Sequence, residues 1–330
     1  MSTALERRAI QDRRDAPEKP VPAPSLTLLA PSAAPEVMPA RPAESSPPPP
    51  ARRRMRFDPV VTIATVLAIV LLGAAILAPL IAPFEPDAQR LLARLRPPVG
   101  FERADPRYLL GTDQLGRDML SRCLYGLRLT LLIALFGAAM GLVLGALAGL
   151  VSGMVGGIVD ALIMGLCDVK ISVPFTLVAL LVIALAGAST IVLVCVLSLA
   201  YWAQFARLIR AQVLTLREMP YIEAARAAGA TPVRIAIRHV LPNIVSPVIV
   251  MFTLNISNLI LLESALSFLG LGVQPPTATL GSMVGLGRDY MPTAPWVVAS
   301  PALLIMLVSL TVMLLGDWLR DHLDVRLRER

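Results

Sequence analysis

Five stretches of this chain, residues 59–84, 129–159, 171–206, 240–262 and 290–316, contain no Asp, Glu, Lys or Arg. A helix that crosses a bilayer needs roughly 20 mostly apolar residues, so each stretch is long enough. With no water in the hydrocarbon layer, only helices or closed barrels can satisfy every backbone polar group. Barrel strands alternate apolar with polar residues, whereas these runs are continuous, so the pattern predicts helices. Composition agrees: charged residues make up 16% of the 330, against about a quarter in soluble domains. The chain reads as an all-α integral membrane protein.

The run 171–206 is too long for one crossing. Its 36 residues would extend about 54 Å as a helix, against a hydrocarbon core of roughly 30 Å. Dividing it at Gly187, Ala188 and Ser189 gives about six transmembrane helices. They run from Val60 to Ala82, through the 129–159 run, from near Gly165 to the division, from there past Ala206, from Ile244 to Leu262, and from Trp296 to Gly316. Arg52, Arg53, Arg54 and Arg56 precede the first span, and residues 207–239 hold six arginines against Glu218 and Glu223. Positive charge is retained in the cytoplasm, so both termini and the 207–239 segment are expected there. One segment disagrees. The loop 85–128 holds eight arginines and six acids, yet parity places it outside.

Three further patterns bear on organisation. Residues 1–51 contain twelve prolines, ending in four consecutive ones, a composition expected to stay disordered as a cytoplasmic tail. Its best apolar patch, from Leu26 to Ala30, is too short for a signal peptide. The expected domains are this tail, a first helix and extracytoplasmic loop over 52–128, and a core over 129–330 containing a functional loop at 215–243. In the second span Gly137, Gly141, Gly145, Gly149 and Gly153 recur every fourth residue. Such a stripe lets a neighbouring backbone approach closely and is expected to be a packing surface.

Several function classes are disfavoured. The net charge of +7 follows span boundaries rather than one face, so nucleic acid is not an expected partner. Cys123, Cys167 and Cys195 have no CxxC spacing, and His239 and His322 lie far apart, which supports neither a metal site nor a cofactor. No GxSxG elbow and no GxxxxGK[ST] phosphate loop is present, so no catalytic residues are assigned. The charge-free span centres speak against a secondary transporter with buried ion ligands. Asp160, Asp168 and Glu263 lie near helix ends and are expected to cap them.

The loop between the fourth and fifth spans reads YIEAARAAGATP over 221–232. Residues 223–228 favour helix, and Glu223 in the first turn suits the helix dipole. Gly229 suits a C-terminal cap and Pro232 the first turn of a following helix. This predicts a short exposed helix, a bend, and a second helix entering the membrane.

Here the chain resembles the permease subunits of ATP-binding-cassette (ABC) importers. The motif is Glu223, Ala224, Ala225 and then Gly229, four residues after the second alanine. RHVLPN at 238–243, LGTDQLGRD at 110–118, LSFLGLGVQPP at 266–276 and LGDWLRD at 315–321 are similar to the peptide/nickel branch. Leu280 stands where that branch commonly has tryptophan, and Trp318 where a small residue is usual. The resemblance implies a type I importer permease fold in a bacterial inner membrane. It also implies that Glu223, Ala224, Ala225, Arg226, Gly229 and Arg234 form a loop docking on an ATPase subunit. The implied partners are a homologous second permease, two ABC ATPase subunits and an extracytoplasmic substrate-binding protein. Energy would then come from the partners, not from this chain. Di- or oligopeptides are the first expected cargo, with nickel, glutathione-like peptides and opine-type solutes as alternatives.

Overall fold

In the computed structural model, residues 59–323 are described. The proline-rich stretch, the Arg52–Arg56 cluster and residues 324–330 lie outside them. Among the described residues there is no β-strand, only one isolated bridge between Thr112 and Asp118. The helices are α1 (Pro59–Ile76), α2 (Met119–Val155), α3 (Gly157–Ser172), α4 (Phe175–Ala186) and α5 (Thr190–Arg217). They are followed by α6 (Pro220–Ala227), α7 (Pro232–Phe268), α8 (Leu280–Gly287) and α9 (Trp296–Leu323). α1, α2, α5, α7 and α9 are each long and apolar enough to cross a membrane; α3 and α4 together, bent by 90°, make a sixth crossing if counted as one.

Side-chain chemistry explains where these helices begin. Asp118 caps α2 by accepting a hydrogen bond from the Ser121 amide, and Ser189 caps α5 by accepting from that of Val192. Each satisfies a donor that a helix start leaves unpaired. The division expected at 187–189 therefore falls where the two helices separate. A second break, at Val173 and Pro174, is a correction to the sequence reading. Val173 is extended, with φ −96° and ψ 129°, because proline disfavours a helical residue before it and offers no amide of its own. The third crossing accordingly starts at Gly157, not near Gly165, and is bent.

Other boundaries move outward from the charge-free runs. α2 starts at Met119 and includes Arg122 and Arg128, α7 covers 232–268 rather than 244–262, and α9 continues to Leu323 beyond Gly316. At 1.5 Å per residue, the 37 residues of α2 extend about 55 Å, well beyond the hydrocarbon layer. Lack of charge marks the lipid-embedded part of a helix, not its ends. α1 is shorter than expected, because the chain breaks at Leu77 before a single further turn, Ala78–Ile81.

The core lies between α2, α5 and α7, where Leu127, Ile133, Leu193, Leu197, Leu259 and Ile260 are all buried. All five glycines of the α2 stripe are buried and face α5. A methyl group at Gly149 would lie 2.5 Å from the Ala206 carbonyl oxygen, and one at Gly153 would lie 2.7 Å from Val213 Cβ. Outward surfaces are apolar, with Ile63, Ile69 and Leu185 each more than 60% exposed, as a lipid-facing surface requires.

Contacts sort the connections into two ends. The amide of Phe84 donates to Ser121 Oγ at 3.1 Å, Trp296 Nε1 donates to the Thr112 carbonyl at 3.2 Å, and the Leu280 amide donates to Thr130 Oγ1 at 3.2 Å. These gather the loop 85–118 and the starts of α2, α8 and α9 at one end. At the other end Arg217 Nη1 donates to the Gly153 carbonyl at 3.0 Å, joining the ends of α2 and α5 beside α6.

Candidate partner-docking site and membrane boundaries

α6 starts with Pro220 in its first turn, where no amide is needed, and with Glu223 as its first-turn acid, as proline stiffness and the helix dipole favour. At its end the Gly229 amide donates to the Arg226 carbonyl at 2.9 Å and the Ala230 amide to that of Ala225 at 3.0 Å. This closure places Gly229 at φ +82°, a conformation that costs an ordinary residue about 1–2 kcal/mol. Thr231 then caps the start of α7, its hydroxyl accepting from the Arg234 amide, with Pro232 in the first turn.

Glu223, Ala224, Arg226, Gly229 and Arg234 are exposed, and Ala225 is half-buried. The underside explains how so small a helix is held. Ile222, Ile235 and Val240 are buried against Ile209, Val213 and Ile244, where α5 ends and α7 begins. Sequence reasoning passed over Ile222, although it is the one branched aliphatic residue in an otherwise small or polar helix. It also passed over Tyr221, Val233 and Ile237, which are 45%, 67% and 62% exposed beside the motif. Residues Ala236–Val240 form a π-helical turn between the knob and the rest of α7.

Ion pairs brace this end of the molecule. Arg210 reaches Asp160 through Nε at 2.5 Å and Nη2 at 2.6 Å, and Ser152 also donates to Asp160. Asp168 pairs with Arg207, and Lys170 donates to the Ala200 carbonyl. The expectation that Asp160 and Asp168 are caps is therefore corrected: both carboxylates bind arginines on another helix. Glu263 is no cap either. It is fully buried within α7 and accepts from Ser267 Oγ at 2.6 Å, while Oε2 has no protein partner.

At the opposite end, the LGTDQLGRD segment folds back on itself. Asp113 accepts from the amides of Leu115 and Arg117 at 2.8 and 2.9 Å and from Arg117 Nε at 2.6 Å. Arg122 shares that carboxylate at 3.6 Å and reaches Asp87 at 3.3 Å. On the surface, hydrogen bonds from Arg107 hold the Asp105 carboxyl down at about 2. Among the described residues no group of three His, Cys, Asp or Glu side chains is placed to hold a metal.

The fold is thus a bundle of membrane-length helices with an exposed, glycine-ended knob at one end. The chain belongs to the family of binding-protein-dependent transport system inner membrane components, whose model matches residues 141–329. The N-terminal TM domain of oligopeptide transport permease C matches residues 50–98. Among curated relatives, the di/tripeptide transport system permease protein DppC of Pseudomonas aeruginosa (strain UCBPP-PA14) is 42% identical over 77% of this chain and 84% of its own length. The dipeptide transport system permease protein DppC of Haemophilus influenzae is 36% identical, covering 77% and 86%. The glutathione transport system permease protein GsiD of Escherichia coli O1:K1 is 38% identical, covering 84% and 89%. A solved structure of the MetNI methionine ABC transporter in inward-facing conformations aligns with TM-score 0.48 and 20% identity, over 60% of this chain and 94% of that one.

Proposed function

We propose that this chain is the permease subunit of an ATP-driven importer of short peptides, docking through α6 on an ATPase subunit it does not contain. The observation that carries this reading is the knob itself. A short surface helix, PYIEAARA, exposed on one side and anchored by Ile222 on the other, suits a groove on another protein. Its anchor lies where α5 ends and α7 begins, so a push on α6 reaches two membrane helices together. Rigid-body rearrangement of packed helices is how a local contact becomes a large movement. The expected assembly holds a second, homologous permease, two ATPase subunits and an extracytoplasmic binding protein, with α6 and both termini in the cytoplasm.

The substrates named for these relatives favour peptides as cargo. Dipeptides, tripeptides and glutathione, a γ-linked tripeptide, are all small zwitterions with a free carboxylate. The deciding experiment is uptake of labelled di- and tripeptides by vesicles holding the whole complex and its binding protein. ATP-dependent accumulation that is lost with Gly229→Val supports the reading. Accumulation without ATP or without the ATPase subunits overturns it.

A further inference from the structure

Beside the ion pair of buried Arg122 with exposed Asp87, at the end opposite α6, lies a half-open cavity of about 430 Å³, within the range of small-molecule sites. Three segments meet around it: the loop after α1, the first turns of α2, and residues 277–278 just before α8. Arg122, Tyr125, Arg128, Leu129 and Leu132 line it from α2, at the three- and four-residue spacings that share a helix face.

The charges are unevenly matched. Arg117 and Arg122 are both buried and are balanced by Asp113 and Asp87. Arg128 is exposed to the cavity and makes no ion pair among the described residues. The site therefore offers one guanidinium that is engaged in no ion pair, whose planar fork suits a carboxylate. Asp87 has its side chain 43% exposed and accepts from Arg122 through Oδ1, so its carboxylate remains open to a second cation. Leu129 and Leu132 provide an apolar floor. A cation, an anion and an apolar floor in one cavity match a short peptide with free ends better than a plain anion, which Asp87 repels.

We propose that this cavity is an entry site for the transported peptide, in which Arg128 takes the terminal carboxylate and Asp87 the terminal ammonium. The proposal rests on the importer reading above. The cavity also adjoins the contact between α2 and α8. The cavity wall at Thr277 and Ala278 continues into Thr279, which caps α8, and the next amide, of Leu280, is held by Thr130 of α2. A peptide seated here touches both sides of that joint.

The test uses the assembled complex of this chain with its partner subunits in phosphatidylcholine vesicles. The exposed Cys195 is replaced by Ser and a reporter is introduced as Thr277→Cys. The rate of modification by a membrane-impermeant maleimide is measured with alanyl-phenylalanine, its C-terminal amide and its N-acetyl form. At a dipeptide concentration about ten times its dissociation constant, simple occupancy slows modification about tenfold. The amide and the N-acetyl form protect far less, and Arg128→Gln removes protection while Arg128→Lys retains part of it. Complex yield and the rate without peptide show that each variant is folded. Equal rates with and without the dipeptide, in a complex that imports it, overturn the site alone. Slow modification that requires phosphatidylethanolamine and ignores peptide assigns the cavity to a lipid headgroup and also overturns it. A wild-type complex that imports no short peptide removes the peptide reading of the subunit, and this site with it.

Discussion

Gly229 and Ile222 carry the knob in different ways, and their substitutions separate backbone from packing. Around Gly229 nothing lies within 4 Å of where a Cβ would stand, yet φ is +82°. A substitution there meets strain and no clash. Gly229→Val should cost about 2 kcal/mol locally and redirect the knob, since β-branched residues are the least tolerant of positive φ. Gly229→Asn should be much milder. Membrane abundance is expected to stay normal in both, with ATPase stimulation by loaded binding protein lost in the valine variant and largely kept in the asparagine one. Equal loss in the two would show that the side chain, not the backbone, matters. Ile222 is fully buried, and Ile222→Ala should cost about 2–5 kcal/mol. Because that cost falls on an eight-residue helix, co-purification of ATPase subunits should fail while the spans persist. Gly229 was legible because its cap chemistry is local. Ile222 was not, because one isoleucine among alanines acquires meaning only when Ile209 and Val213 are placed beneath it.

Between helices, the contact of α2 with α5 makes a graded prediction. A methyl group at Gly137 would approach Leu197 Cβ to 3.1 Å, and one at Gly149 would meet the Ala206 carbonyl oxygen at 2.5 Å, while at Gly73 of α1 it would meet nothing within 4 Å. Gly73→Ala should therefore be neutral, Gly137→Ala mild and Gly149→Ala damaging, because backbone cannot yield as a side chain can. Gly145→Leu, placed against the Trp202 carbonyl and Phe205 Cβ, should be the most severe. Detergent-stable yield and melting temperature of the complex report the order; a damaging Gly73→Ala with a neutral Gly149→Ala would overturn the packing role. The stripe itself was plain in the sequence because its period matches a helix. Its partner was not, since α5 shows no complementary pattern and only the fold sets Ala206 and Val213 opposite. The bend at Pro174 was missed for a related reason. Length alone demanded one division of the 171–206 run, and the glycine at 187 satisfied that demand.

For the whole molecule, the arginine-rich loop is the test of orientation. Span counting left it on the side that positive charge disfavours, and counting alone had no reply. The fold supplies one. Arg117 and Arg122 are buried in pairs with Asp113 and Asp87, and Arg107 is paired with Asp105, so three of the eight arginines are neutralised within the loop. Asp105, held at about 2 by its hydrogen bonds from Arg107, keeps its charge as pH falls through the ordinary carboxylate range and gives it up only near pH 2. The Trp296–Thr112 and Phe84–Ser121 hydrogen bonds fix this loop at the end opposite α6, whatever the membrane does. Only two orientations remain, and the six arginines in residues 207–239 favour the proposed one, with α6 inside. In intact cells, an impermeant thiol reagent should therefore modify Phe101→Cys, an exposed position in the loop, and spare Ala227→Cys on the knob until the membrane is opened. Both positions are exposed in the fold, so lack of labelling cannot be blamed on burial within this subunit. The reverse pattern would invert the orientation and leave α6 unable to meet a cytoplasmic ATPase. Labelling of both from one side would contradict the fold, because the contacts that hold the loop to the starts of α2 and α9 could not exist.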